Sequence, residues 1–227
     1  MNIEVTLLSR KEIEEESKVL QKIGAGRKRF YWTSDMTLKD FSGVVDIFGY
    51  IFYDQTHYNY GVRPVLKTDN LYTLIKNCPS ELNNGVLTIK LGTYPDLSKK
   101  LNVDYSCTFK QQFYKYKILN TSAISKSNIF QWDNCPTYIY NNDQEIIELH
   151  GSYYPVKPVK FYVDRENSML ISAGVLFTSP INVRNFEYNN IFDKYFKHSQ
   201  LYRFLNKEFK KDLLLNHYVP KQKTMYL

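Results

Sequence analysis

The sequence predicts an α+β fold, with twisted antiparallel sheets and with helices near the N-terminus and at the C-terminus. Three observations carry this expectation. Short segments rich in β-branched and aromatic residues recur along the chain, bounded by turn residues. Hairpin signals stand between neighbouring segments, with Asn84-Gly85 and Asn141-Asn142-Asp143 the clearest. Near the end, Leu201, Phe204, Leu205, Phe209 and Leu213 recur at spacings of three and four, the stripe of an amphipathic helix.

In chain order, a first strand from Ile3 to Leu8 feeds a helix opening at Ser9. Ser9 and Glu12 have the capping-box spacing, in which hydroxyl and carboxylate each take a backbone N–H that the first helical turn leaves unpaired. Ile13, Leu20 and Ile23 form its apolar stripe, and Gly24 ends it. Between Phe30 and Lys67 lie strands opening on Tyr31-Trp32-Thr33-Ser34-Asp35, then an apolar block from Val44 to Tyr53, then Tyr60 to Leu66. A short helix is expected over Leu71 to Ile75. The polar stretch 76–85 reads as a linker between an N-terminal lobe, 1–75, and a C-terminal lobe, 86–227, which can also pack as one domain.

The second lobe opens on a strand from Val86 to Leu91. Phe113 to Leu119 sets Tyr114, Tyr116 and Ile118 against Lys115 and Lys117, the alternation of a half-buried strand. Residues 120–135 read as polar loop. Thr137–Tyr140 and Gln144–Leu149 form one hairpin. Val156–Val163 and Met169–Phe177 form another, across Asp164-Arg165-Glu166-Asn167, with Pro158 marking an edge or a bulge. Ser199 is the N-cap of the last helix.

Composition bounds the function. A chain of 227 residues with 43% hydrophobic content and a mean hydropathy of −0.44 suits a soluble globular protein with a real core. The longest apolar run, Met169 to Phe177, is far shorter than the ~20 residues that cross a bilayer. The opening Met1-Asn2-Ile3-Glu4 lacks a basic-then-apolar export signal, so a cytoplasmic location is expected. Cys78, Cys107 and Cys135 lack a metal-binding spacing and His57, His150, His198 and His217 are scattered, so no metal and no cofactor are expected.

Two sets of segments carry a resemblance. Leu7-Leu8-Ser9 with Glu12-Ile13, then Tyr31-Trp32-Thr33-Ser34, then Gly61-Val62-Arg63-Pro64, resemble the closing half of a widespread bacterial domain of uncharacterised function. That domain is similar to the sulfatase-modifying, formylglycine-generating enzymes and to the C-type-lectin-like fold. Gly85-Val86-Leu87 leading to Leu91-Gly92-Thr93-Tyr94-Pro95, then Val156 to Asp164, Met169 to Ser172 and Leu201 to Asn206 resemble its opening half. The resemblance implies sheets of C-type-lectin-like character. It does not bring the enzymes' chemistry, because no cysteine lies between Met1 and Asn77, where their catalytic cysteines would fall. Trp132-Asp133-Asn134 has the wrong order for a lectin's calcium triplet and lacks the companion loop.

The candidate residues follow. Arg63, in an apolar strand, is expected to be buried and structural beside Trp32, with Asp35 or Asp46 as the partner of its guanidinium. From Lys194 onward eight cations face only Glu208 and Asp212, which concentrates there six of the chain's seven net positive charges. Lys197, Arg203, Lys207, Lys210 and Lys211 are thus candidate binding residues, or simply a solvated helix face. Arg27, Lys28 and Arg29, after Gly24-Ala25-Gly26, read either as an anion site or as a helix-ending turn. Twenty tyrosines suit either a recognition surface or half-buried strands. Asp164 and Glu166 read as turn formers, and His150 as a base or a strand-end structural residue. No nucleophile elbow, metalloprotease helix, Walker loop or dinucleotide fingerprint is present.

The expected function is therefore a non-enzymatic intracellular binding protein that recognises a protein or ribonucleoprotein complex through a basic, Tyr-rich surface. An inhibitor of a host defence complex encoded by a mobile element would be one such protein. The alternatives are direct binding of nucleic acid and an enzyme whose site the sequence does not reveal.

Overall fold

The computed structural model describes residues 2–14, 18–23, 29–38, 41–103, 109–119, 132–141, 143–182 and 195–218. Among these, fourteen strands form two sheets, mostly antiparallel, and the fold is broadly α+β. In chain order the strands are β1 (Ile3–Thr6), β2 (Tyr31–Leu38), β3 (Phe41–Val45), β4 (Ile51–Gln55), β5 (Tyr60–Val62), β6 (Val65–Thr68), β7 (Ser80–Asn83), β8 (Val86–Pro95), β9 (Phe109–Leu119), β10 (Trp132–Tyr140), β11 (Gln144–Leu149), β12 (Ser152–Asp164), β13 (Met169–Ser172) and β14 (Phe177–Ser179).

The larger sheet is organised by β12, which is long enough to serve two neighbours on one edge. Ser152 to Pro155 pair with β11, and Phe161 to Asp164 pair with β13. Strand β8 runs along the other edge, so that Phe161 faces Ser172 on one side and Ile89 on the other. From there the sheet continues through β11, β10 and β9 in one direction and through β13, β6 and β1 in the other. Pro158 has no N–H for the ladder, and the β8 register shifts between Pro158 and Lys160.

The smaller sheet has the order β14-β5-β2-β3-β4, antiparallel apart from the β2–β5 pair. Each sheet draws strands from both sides of residues 76–85, and that stretch is not a linker: β7 pairs with β8 through Asn83↔Val86. Asn84 and Gly85 close the turn with φ of 51° and 71°, the mirror-image turn whose twist matches paired strands. The loop expected over 120–135 is also corrected at its end, because Trp132 to Cys135 pair with Tyr116 to Leu119. The second arm of the β12–β13 hairpin stops at Ser172, and Phe177 begins a strand of the other sheet.

Helices α1 (Arg10–Glu14) and α2 (Lys18–Ile23) lie near the start and α3 (Leu71–Ile75) follows β6. The capping box at α1 is formed: Ser9 N donates to Glu12 Oε2 at 2.7 Å and Glu12 N donates to Ser9 Oγ at 3.2 Å. Ile13, Leu20 and Ile23 bury against Leu8, Tyr31, Val65 and Ile171. The C-terminal helix runs Gln200–Phe204, a π turn Leu205–Phe209, and Lys210–Tyr218, with Ser199 Oγ accepting from Tyr202 N at 3.1 Å. Its predicted stripe is buried throughout. Phe177 of the smaller sheet meets Tyr94 of β8 and Phe204 and Phe209 of the helix at ring separations of 5.9–6.0 Å, which joins both sheets and the helix in one core. Among the described residues, no helix is long and apolar enough to cross a membrane.

Candidate functional site

The apolar block from Val44 to Tyr53 is divided by a turn, and Asp46 makes it. Its Oδ1 accepts from Phe48 N at 2.8 Å and Tyr50 N at 2.9 Å. Its own N–H donates to the Tyr50 carbonyl at 2.9 Å, and Gly49 N donates to the Asp46 carbonyl at 3.2 Å. Gly49 supplies the left-handed backbone, φ 95°, that closes the loop. These bonds fix the tip of the β3–β4 hairpin while leaving Phe48 78% and Tyr50 74% exposed, with Ile47 beside them.

Below the tip, Phe52 lies edge-on to Phe30 and to Tyr60, at 6.1 and 6.3 Å. Tyr60 stands edge-on to Trp32 at 4.8 Å, and Trp32 is anchored by a 2.7 Å bond from Nε1 to the Ser179 carbonyl. Tyr60 donates its hydroxyl to Asp54 Oδ2 at 2.5 Å; burial and this bond push its pKa up to about 12. The hairpin that carries the exposed rings is thus backed by an aromatic cluster around Phe52. Six of the nine exposed large apolar side chains among the described residues lie between Phe30 and Tyr58. Residues 41–62 hold seven aromatics, two aspartates and no lysine or arginine, within a chain of net charge +7. Strand β4 also ends its sheet, so its outer edge has no strand partner among the described residues.

The basic residues are elsewhere and are not equivalent. Arg203, Lys207 and Lys211 stand four apart on the C-terminal helix and are exposed. Lys210 is drawn inward, donating from Nζ to the Ile3 carbonyl at 2.9 Å. Lys197 faces Glu4 at 3.4 Å, and Glu4 also accepts from the Tyr202 hydroxyl at 2.9 Å. Arg29 is exposed at the rim of a separate cleft, and Arg27 and Lys28 lie outside the described residues. The basic and the Tyr-rich features of the sequence are therefore two places on the surface.

Arg63 is buried, but neither expected carboxylate reaches it. Asp46 is taken by its own hairpin, and Asp35 accepts from the Arg10 backbone N–H. The guanidinium instead donates from Nε to the Ser172 carbonyl at 2.9 Å, bonds the Tyr31 hydroxyl, and lies 5.4 Å from the centre of that ring. It thereby ties β2 to the end of β13.

For chemistry the described residues offer little convergence. They contain no group of three or more His, Cys, Asp or Glu placed to hold a metal ion. Cys135 is buried, and burial raises the Cys78 thiol above its ordinary pKa, the reverse of an activated nucleophile. Asp164 is tied to its own turn through Asn167, whose N and Nδ2 donate to it. The aromatic hairpin tip was not singled out from sequence, although Asp46 and Gly49 inside the apolar block were the signal for a turn presenting Phe48 and Tyr50. Comparison with family models, with curated proteins and with solved structures gives no match.

Proposed function

We propose that this protein is a protein-binding domain that seats the aromatic tip of the β3–β4 hairpin, Phe48 and Tyr50, in an apolar pocket of another protein. The observation that carries the reading is the combination of high exposure with a fixed backbone. Two large rings carried on a backbone held by the bonds of Asp46 need little backbone ordering on binding, a property that suits an interface anchor.

Charge favours a protein partner over nucleic acid. Binding of single strands combines stacking rings with cations that follow the phosphates, and here residues 41–62 have rings but no lysine or arginine, while Arg10 beside them is engaged by Tyr53 and Glu14. Conversely, the described aromatic side chains of the C-terminal helix are buried or half-buried beside Arg203, Lys207 and Lys211. That stripe suits faster encounter with an acidic partner. Inhibition of a host defence complex, a protein or ribonucleoprotein, is the narrower form of this reading, and a C-type-lectin-like scaffold without catalytic cysteines would serve it as a rigid support.

The test is capture of a partner from native-host lysate by three forms of the chain: wild type, Phe48→Ala/Tyr50→Ala, and Arg203→Glu/Lys207→Glu/Lys211→Glu. The reading expects the aromatic variant to lose the partner at unchanged melting temperature, while the charge variant keeps it with slower association. Undiminished capture by the aromatic variant would sink it. Salt-sensitive oligonucleotide binding lost only in the charge variant would favour nucleic acid instead.

A further inference from the structure

The turn between β11 and β12 has an unusual occupant. Leu149 pairs with Ser152, so His150 and Gly151 close a two-residue turn, with φ of 49° and 67°. Asn84 and Gly85 adopt nearly the same backbone, 51° and 71°, in the β7–β8 turn. That geometry favours Asn, Asp or Gly at its first position, and histidine is a costlier choice. What the histidine adds is an imidazole at the wall of a cleft of about 250 Å³.

The cleft has two kinds of lining. Its apolar side comes from Ile118, Leu149, Leu176 and Phe177, with Tyr94 among them. Its polar side comes from Arg29, His150 and Tyr154, together with Ser98 and Thr178. Arg29 precedes β2, whereas His150 and Tyr154 belong to the β11–β12 hairpin, and among the described residues none of these three side chains has a hydrogen-bonding or ionic partner. Among the described lining residues there is no carboxylate, and Ser98 of the wall donates to Asp96 at 2.6 Å. Unspent donors beside an apolar floor are the usual make-up of a small-molecule site. The volume falls below the ~300–1,000 Å³ of sites for drug-sized ligands, which limits the occupant to about one ring with one charged group.

We propose that this cleft binds a small organic anion, a carboxylate or phosphate carried on a single ring, with Arg29 and His150 on the anionic group and the ring against the apolar wall. Arginine presents paired N–H groups that match either oxyanion. The site is separate from the hairpin tip and does not depend on it.

Titration calorimetry of the full chain with phenyl phosphate tests this, with benzyl alcohol as the neutral comparison. Arg29 is exposed and asparagine suits the backbone at His150, so Arg29→Gln and His150→Asn are expected to fold and to melt with the wild type. Phenyl phosphate is expected to bind at millimolar concentration or below, and benzyl alcohol at least roughly tenfold more weakly. Arg29→Gln is expected to weaken phenyl phosphate by about tenfold, the worth of one charge-assisted contact, and His150→Asn by several-fold. No heat with phenyl phosphate, equal affinity for the alcohol, or an unchanged constant in Arg29→Gln would each overturn the proposal.

Discussion

The side-chain amide of Asn206 meets both backbone groups of Val5: Nδ2 donates to the carbonyl at 2.7 Å, and Oδ1 accepts from the N–H at 2.9 Å. Val5 belongs to β1, whose inner edge pairs with β6, so these groups point outward from the last strand of the larger sheet. An amide carries the same donor and acceptor as a strand residue. The π turn of the C-terminal helix thereby supplies a substitute neighbour, and Lys210 adds a second contact at Ile3. Asn206→Leu removes both partners and leaves two backbone groups beneath a helix. A loss of about 3 kcal/mol is expected in urea unfolding. A loss below about 1 kcal/mol would mean that water satisfies this edge unaided.

Gly92 answers a different need on the same helix. Its φ is +62°, and an added Cβ would fall 1.9 Å from the Leu213 carbonyl oxygen. Gly92→Ala therefore combines an unfavourable backbone region with displacement of the helix from β8, and about 3 kcal/mol or more should be lost. Gly151→Ala is the control. Its φ is +67° with nothing within 4 Å of the added carbon, so only the backbone cost of about 1 kcal/mol is expected. Equal losses in the two variants would show that the helix gives way at no cost.

Local signals in the sequence were legible where the structure is decided locally. Ser9 with Glu12, Asn84-Gly85 and the stripe from Leu201 to Leu213 all form as their spacing requires. What could not be read depends on contacts between distant residues. The division of one β12 edge between β11 and β13 has no local signature. Asp46 is near Arg63 in sequence, but its carboxylate reaches N–H groups two and four residues ahead, and that short-range competition wins. Lys210 has the same composition-level appearance as Lys207 and Lys211. Only the docking of the helix on β1 turns it toward the Ile3 carbonyl. The two faces of the candidate surface were merged for the same reason, since composition counts tyrosines and lysines without placing them.

Asp212 gives the fold a defined pH dependence. Burial pushes its pKa up to about 6 from the usual value near 4, with Glu208 adding to the rise while the bond from Lys117 N and the charges of Lys211 and Lys117 oppose it. Tyr94 also lies within its field. Between about pH 4 and 6 the folded chain holds this proton more tightly than the unfolded chain, so the group's contribution favours folding at low pH and is lost as pH rises through 6. The difference is at most about 3 kcal/mol. Asp212→Asn keeps an acceptor for Lys117 N without the charge. It is expected to be more stable than wild type at pH 7 and to show a smaller change in stability between pH 4 and 6. Parallel curves for the two proteins would rule out Asp212 as the source.

The hairpin tip can be loosened without touching either ring. Asp46→Ala removes the acceptor of Phe48 N and Tyr50 N, whereas Asp46→Asn retains it. The turn is at the surface, so the alanine variant should lose no more than about 1 kcal/mol of global stability. Amide exchange at residues 48 and 50 should nevertheless accelerate, because opening the tip no longer breaks those bonds. If the rings bind as preorganised anchors, partner affinity falls in Asp46→Ala, since re-ordering the loosened backbone on binding costs about 1–2 kcal/mol per residue. It should return in Asp46→Asn. Faster exchange with unchanged affinity would separate the order of the tip from recognition, and would place the contact on the fixed rings of Phe52, Phe30 and Tyr60 below it.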